Sequence, residues 1–354
     1  MSKIKVGVLG ATGMVGQRIV RLLHEHPWFE VGAMSSSERS AGKRYGDALR
    51  PSPAGSGPLS ADVENMVLTE SVIEAFGECK VIFSALHAEA AQEIEPKLAA
   101  AGFAVVSNAS AFRMGVDVPL IVPEVNPEHI GIIAQQQANR GWSGYIVTNP
   151  NCSTIGLSLA LAPVYWAFGI EKASIVTLQA ISGAGYGGVS GLDIIDNVVP
   201  YIGNEEDKVE TEPLKLLSKW TGSELEPPSG MKISAQCTRV PTTDGHMEMV
   251  SMELGKKASL QDVLDCWTEW KALPQELGLP SAPAHPVVVR SEANRPQPKF
   301  DRDTENGMAT VVGRLRPCPL FDYKFAMLSH NLVRGAAGGV VLIAELLKAK
   351  GMLD

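Results

Sequence analysis

The stretch that most limits the fold is residues 4–23, IKVGVLGATGMVGQRIVRLL. A β-branched run, Ile4 to Leu9, leads into three glycines, Gly10, Gly13 and Gly16, and then Val15, Ile19, Leu22 and Leu23 fall on one helical face until His26-Pro27 ends it. Phe29 to Met34 reads as the next strand. Strand, glycine turn, helix, strand is a βαβ unit, whose strands lie parallel in a doubly wound sheet. Glycines there permit a tight turn and let a pyrophosphate approach the free N–H groups of a helix start. The spacing is GxxGxxG rather than GxGxxG, and tight helix–strand packing is the other reason for such glycines. The strand–turn–helix context favours cofactor contacts from Gly10, Ala11, Thr12, Gly13, Met14 and Val15.

Cofactor choice is read at the end of the second strand, where an acidic side chain holds a ribose hydroxyl and an Arg accepts a 2′-phosphate. Here the chain has SSSERSAGK. Ser35, Ser36, Ser37, Arg39 and Ser40 offer hydroxyls and a guanidinium suited to phosphate, against Glu38, so NADP is expected over NAD. An ordinary polar loop is the alternative.

The same alternation continues with strands at 79–86, 103–110 and 119–125 and a helix at 88–102 that Pro96 is expected to kink or split. Residues 50–60, rich in Pro, Gly and Ser, read as an exposed loop. Past residue 151 the pattern changes to a helix at about 153–168, a strand ending in a glycine loop, the acidic stretch 203–213, strand-like 231–254 and an amphipathic helix at 260–273. The expected architecture is α/β: a Rossmann-like, NADP-binding domain over 1–151 and an α+β domain over 152–330. The segment 331–354 carries an apolar helix expected to pack back on the first domain.

A formal net charge of −8 leaves no excess of positive charge for a nucleic-acid backbone. The longest apolar run, 155–164, falls short of the roughly 20 residues of a membrane-spanning helix. With no secretory pattern at MSKIKVGVLG, a cytoplasmic protein is expected. Five cysteines without a CxxC pair and seven histidines without HxxxH spacing point to neither disulfides nor a metal site.

Among those cysteines Cys152 stands apart, in NPNCST between a strand-like run and a long apolar run. Ser153 and Thr154 can cap a helix, which places the thiol at its positive end, where a thiolate is stabilised. The N–H groups of Asn151 and Cys152 can hold an oxyanion there. Two readings stay open, a buried structural thiol and a nucleophile. Beside a nicotinamide site, a nucleophilic thiol adds to an aldehyde, and the thiohemiacetal loses hydride to the cofactor to leave a thioester.

Taken in order, GATGMVGQ, SNASAFR, PLIVPEVN, NPNCST, QAISGAGYGG, EEDKVETE, RVPTTDGH and RGAAGGVVLIAELL resemble the aspartate-β-semialdehyde dehydrogenase family, in the form found in archaea, fungi and some bacteria. The resemblance spans nearly the whole chain. It implies reversible, NADP-dependent reductive dephosphorylation of L-aspartyl-4-phosphate to aspartate semialdehyde, and a second domain that supplies a homodimer or homotetramer interface. It makes Cys152 the nucleophile, His246 the general acid/base, and Gln179, Glu205 and Arg239 the substrate contacts for orientation, ammonium and α-carboxylate. Arg113 and Lys208 would take the phosphate. Ser84, Ala85, Ser182, Gly183, Gly185 and Asn331 would meet the nicotinamide side of the cofactor. Three positions depart from the family pattern: Gly187 where Pro is frequent, and Met247 and Leu332 where Thr is frequent. An acyl-CoA reductase acting on malonyl-CoA, which the same family resembles, and a non-enzymatic NADP-binding protein are the competing readings; Glu205 argues against malonyl, which has no ammonium to pair.

Overall fold

Strands β1 (Ile4–Leu9), β2 (Phe29–Met34), β3 (Val81–Ser84), β4 (Ala104–Ser107) and β5 (Tyr145–Thr148) form a parallel sheet in the order β2-β1-β3-β4-β5. This is seen in a computed structural model that describes residues 2–50 and 59–353. The expected loop at 50–60 lies mostly outside those residues. β3, β4 and β5 are buried at every position, as a sheet covered on both faces demands. One face is covered by helix Met14–Leu23 and the C-terminal helix Gly338–Ala349, through Ile19, Val20, Val340, Ile343 and Leu347. On the other, helix Ala88–Ala100 contributes Leu98 and Ala99.

Two local expectations change. Helix Ala88–Ala100 runs unbroken through Pro96, because it is pinned on both sides of the proline. Glu95 accepts from the Ser107 hydroxyl at 2.6 Å, and Leu98 is buried in the core. Residues 119–125 form no strand beyond a single bridge of Leu120 to Thr148. Pro119 and Pro123 lack N–H groups, and Asn126 takes the Val122 N–H and donates to the Leu120 carbonyl, both at 2.8 Å, closing the segment on itself.

The second sheet has six strands: β6 (Ile170–Gln179), β9 (Lys232–Arg239), β10 (His246–Leu254), β11 (Val287–Arg290), β12 (Thr310–Pro317) and β13 (Tyr323–Ser329), ordered β11-β12-β13-β10-β6-β9. A short hairpin, β7 (Lys219–Trp220) and β8 (Leu225–Glu226), stands apart. One sheet face packs on helix Cys152–Phe168, whose residues 153–164 are all buried. A helix apolar all round is what a position between layers requires. The amphipathic helix ends at Thr268, short of the expected 273, and a new turn starts at Leu273-Pro274.

Glu124 and Arg334, both fully buried, pair through two hydrogen bonds of 2.8 and 2.6 Å. They tie the 119–125 segment to the turn Val333–Ala337, which leads into the C-terminal helix. That turn is the back wall of the cysteine: a Cβ on Gly335 would lie 2.8 Å from Cys152 Cβ, so only glycine fits.

Candidate active site

Register in the second sheet builds a row of polar side chains. His246 lies opposite Ser329 on β13, Gln179 opposite Arg239 on β9, and the pairing of Met247 with Leu178 puts His246 beside Gln179. Ser329, His246, Gln179 and Arg239 therefore stand side by side across four strands, on the face turned to the cysteine helix, and all are buried. The next row inward is Met327, Glu248, Thr177 and Cys237. Gln179 Nε2 donates down to Thr177 Oγ1 at 3.3 Å. Glu248 has no partner for either oxygen, and burial, then the nearby Glu205, holds its carboxyl well above the ordinary range, so it adds no charge beneath His246.

Cys152 Sγ lies 3.3 Å from His246 Nε2. On the far side of the ring the Ala180 N–H donates to Nδ1 at 3.1 Å. Nδ1 is thus an acceptor, and the neutral ring carries its hydrogen on Nε2, aimed at the sulfur. Burial, with Arg239 and His330 beside it, pushes His246 well below its ordinary pKa and keeps it neutral. At rest the ring is placed as a hydrogen-bond donor to the sulfur.

The helix start is also more occupied than the sequence suggests. Asn151 is the cap: its Oδ1 accepts from Ser153 N at 2.8 Å and Thr154 N at 3.3 Å. The Asn151 N–H donates to Glu212 Oε2 at 2.6 Å, so of the two N–H groups expected to hold an oxyanion, that of Cys152 remains. Burial pushes the thiol up to about 12; Glu205 adds to the rise, while Arg113, Arg239 and Lys208 oppose it. The expectation of a thiolate stabilised at rest is therefore outweighed by desolvation.

This yields a measurable consequence. Alkylation of Cys152 by iodoacetamide, followed on its own peptide, is expected to speed up about tenfold per pH unit between pH 7 and 9 without a plateau. Glu205→Gln should accelerate it at pH 8, because it removes the anion that raises the thiol pKa. A plateau below pH 7 would mean that the cations prevail over burial.

The acidic stretch 203–213 is helical, Glu205–Leu216. It delivers charge to the site. Glu205 accepts from Asn151 Nδ2 at 2.7 Å and from Lys208 Nζ at 3.2 Å. Glu212 accepts from Arg113 Nη1 at 3.0 Å, and Arg113 Nη2 donates to the Asn108 carbonyl at 2.7 Å. Arg239 Nη1 donates to the Ala180 carbonyl at 2.7 Å, and a Cβ on Gly183 would stand 2.7 Å from that nitrogen. Asn331 accepts from Gly245 N and donates to Ser182 Oγ, both at 2.9 Å, fixing the turn before His246.

A cavity of about 550 Å³ is lined by Cys152, Arg113, Glu205, Lys208 and Arg239 together with Met14, Val15, Ala85, Ser182, Gly183, Gly185 and Asn331. His246 and Gln179 stand buried behind it, and Ser84 is fully buried. The glycine turn fits a dinucleotide. Gly10 has φ 71°, and helix Met14–Leu23 starts at Gly13 without a side-chain cap, leaving the N–H groups of Met14, Val15 and Gly16 free for an anion. Gly16 serves packing: a Cβ there would lie 2.2 Å from the Gly10 carbonyl. Ser36 and Ser37 line a second cavity, of about 530 Å³, with Glu38, Glu70 and Lys97; Ser35 is turned to Ser71, 2.8 Å away, and Arg39 and Ser40 line neither cavity. Among the described residues no group of three or more His, Cys, Asp or Glu could hold a metal ion, and no helix is long and apolar enough to cross a membrane.

Asn151 as cap, Glu212 and Gly335 were not singled out from sequence. The signals available were an Asn directly before the first helical residue and acidic residues seven apart.

The chain is similar to known proteins over nearly its whole length. Residues 5–133 match the family described as semialdehyde dehydrogenase, NAD binding domain, and 161–334 the semialdehyde dehydrogenase, dimerisation domain. An aspartate-semialdehyde dehydrogenase of Methanothermobacter thermautotrophicus is 50% identical over 97% of this chain and 99% of its own length. That of Saccharomyces cerevisiae is 44% identical over 98% of each. The crystal structure of aspartate semialdehyde dehydrogenase with NADP from Candida albicans superposes with a TM-score of 0.90 at 46% identity, covering 99% of both chains. The chain belongs to the aspartate-semialdehyde dehydrogenase family.

Proposed function

We infer that the chain converts L-aspartyl-4-phosphate to L-aspartate 4-semialdehyde and inorganic phosphate, reversibly and with NADPH, by way of a thioester on Cys152. The observation that carries this is the single cavity that joins the cysteine to the glycine-turn helix and to three cationic side chains. The sulfur of Cys152 attacks the acyl carbon while the thiol proton passes to the departing phosphate, so a C–S bond forms as the S–H bond and the C–O bond to phosphate break. Arg113 and Lys208 receive the phosphate, Arg239 pairs with the substrate α-carboxylate, and Glu205 with its ammonium. NADPH, when bound, supplies the hydride that reduces the thioester. His246 Nε2–H and the Cys152 N–H donate to the oxyanion that results, and His246 then donates to sulfur as the C–S bond breaks. The proton consumed overall ends on the released phosphate, so the ring need never take a second proton at Nδ1.

The N–H groups of Met14, Val15 and Gly16 would hold the pyrophosphate, and Ser36 and Ser37 the 2′-phosphate side of NADP. The Candida albicans relative was crystallised with NADP, which supports that choice. Of the departures from the family pattern, Gly187 and Met247 lie outside the catalytic cavity, whereas Leu332 lines it. Met247 points to the outer sheet face, opposite to His246. Gly187 has φ 103°, which a proline cannot adopt, so this glycine loop differs in backbone and not in a catalytic side chain. The test is absorbance of NADPH formed from aspartate semialdehyde with phosphate or arsenate. Reduction of malonyl-CoA in preference to these substrates would overturn the assignment.

On the same reading the chain divides at 151/152 and 330/331, works in the cytoplasm, and assembles as a homodimer or homotetramer. Val176 and Met249 face each other across β6 and β10, exposed by 36% and 41%. An uncovered apolar sheet face of this kind suits a subunit contact. Val176→Lys with Met249→Lys is expected to lower the mass found by analytical ultracentrifugation to that of a monomer; an unchanged mass would place the contact elsewhere.

A further inference from the structure

Helix Glu205–Leu216 turns four charged residues, Glu205, Lys208, Glu212 and Lys215, to one side at successive spacings of 3, 4 and 3. The first two line the catalytic cavity. The other two lie deeper, and the reaction as described assigns them nothing. Glu212, 2% exposed, accepts from Arg113 Nη1 on one oxygen and from the Asn151 N–H on the other, at 3.0 and 2.6 Å. One turn on, Lys215 Nζ donates to the carbonyls of Arg113, Gly115 and Val118 at 2.6, 2.8 and 2.8 Å. An ammonium has three N–H groups. All are used here, and every acceptor belongs to the single loop that carries Arg113.

We propose that Glu212 and Lys215 are positioning residues for phosphate: Lys215 holds the backbone of the Arg113 loop, Glu212 holds its guanidinium, and together they set the anion grip. This rests on the assignment of Arg113 to phosphate made above. Glu212 also links that grip to the start of the cysteine helix through Asn151, so the phosphate arm and the nucleophile share one support. An apolar side chain at 215 would leave the buried carbonyls of Arg113 and Val118 unpaired, while that of Gly115 would keep the Val118 N–H, so a charge is tolerated there despite its desolvation.

Burial brings the Lys215 pKa down to about 8, with Asp117 and Glu212 opposing the fall. The groups facing it are Glu212 on its own helix, Arg113 and Asp117 of the loop, and His129 of the turn Pro127–Gly131. Asp117 is held low by its bonds to Arg140, and His129 is pushed by burial down to about 4, so neither changes charge above pH 7. As pH rises through 8, Lys215 loses its charge and a donor, and the loop loosens.

The test is steady-state kinetics of the full-length enzyme in the oxidative direction, varying phosphate, semialdehyde and NADP separately. Lys215→Met is expected to raise KM for phosphate about tenfold, with kcat and KM for NADP within about twofold of the parent. The parent should show KM for phosphate climbing above pH 8, and Lys215→Met should be flat there. If Lys215→Met does not fold, Lys215→Gln, which also removes the titrating ammonium, carries the same test. An unmoved phosphate KM in a folded variant, or equal change in all three constants, overturns the proposal. A parent whose NADPH formation ignores phosphate would instead overturn the assignment of Arg113 and of the reaction.

Discussion

Cys152→Ala is expected to lower NADPH formation from aspartate semialdehyde and phosphate by about 10⁴-fold or more, at every pH where the parent is active. The size follows from what remains. Arg113, Lys208 and Arg239 would still bind the substrate, and His246 would still offer Nε2–H, but the cavity has no second thiol. Cys237 stands a row further in on β9, fully buried, with its thiol pushed up to about 12 by burial. It cannot substitute. Because the Cys152 thiol has His246 as its one hydrogen-bond partner among the described residues, the alanine variant should fold and still bind NADP, which fluorescence titration would check. Appreciable turnover with NADP bound would mean that hydride leaves a free hydrate and that no thioester forms.

How much of this was legible in the sequence depended on distance along the chain. The glycine turn was readable because strand, turn and helix are contiguous, and φ 71° at Gly10 is a local requirement. Cys152 was readable as a residue at a helix start, yet its true cap, Asn151, and the burial that raises its pKa were not. The row Ser329, His246, Gln179, Arg239 was out of reach of periodicity, since it is made by the register of paired residues 60 to 83 positions apart; resemblance supplied three of its four members. The acidic stretch was the least informative: helix Glu205–Leu216 buries Glu205, Glu212 and Lys215 while Asp207 stays exposed, and composition does not say which charges turn inward. The missing strand at 119–125 failed for a local reason, two prolines that cannot donate to a ladder.

Arg239→Leu is the second large effect, an expected loss of about 10³-fold in kcat/KM for the semialdehyde. Two separate losses contribute. The guanidinium, 6% exposed and held by the Ala180 carbonyl, is placed to grip the α-carboxylate, and truncating one member of a buried charge pair leaves the other unpaired. It is also one of three cations that oppose the rise in the Cys152 pKa, so its removal should leave less thiolate at a given pH. The two are separable, since the first acts on KM and the second on the alkylation rate of Cys152 without substrate. Arg239→Lys is expected to restore the alkylation rate while leaving KM high, because a point charge replaces the cation but not the planar two-pronged fork. If Arg239→Lys restored both, the residue would act by charge alone, and the carboxylate contact would have to be assigned to another side chain of the cavity.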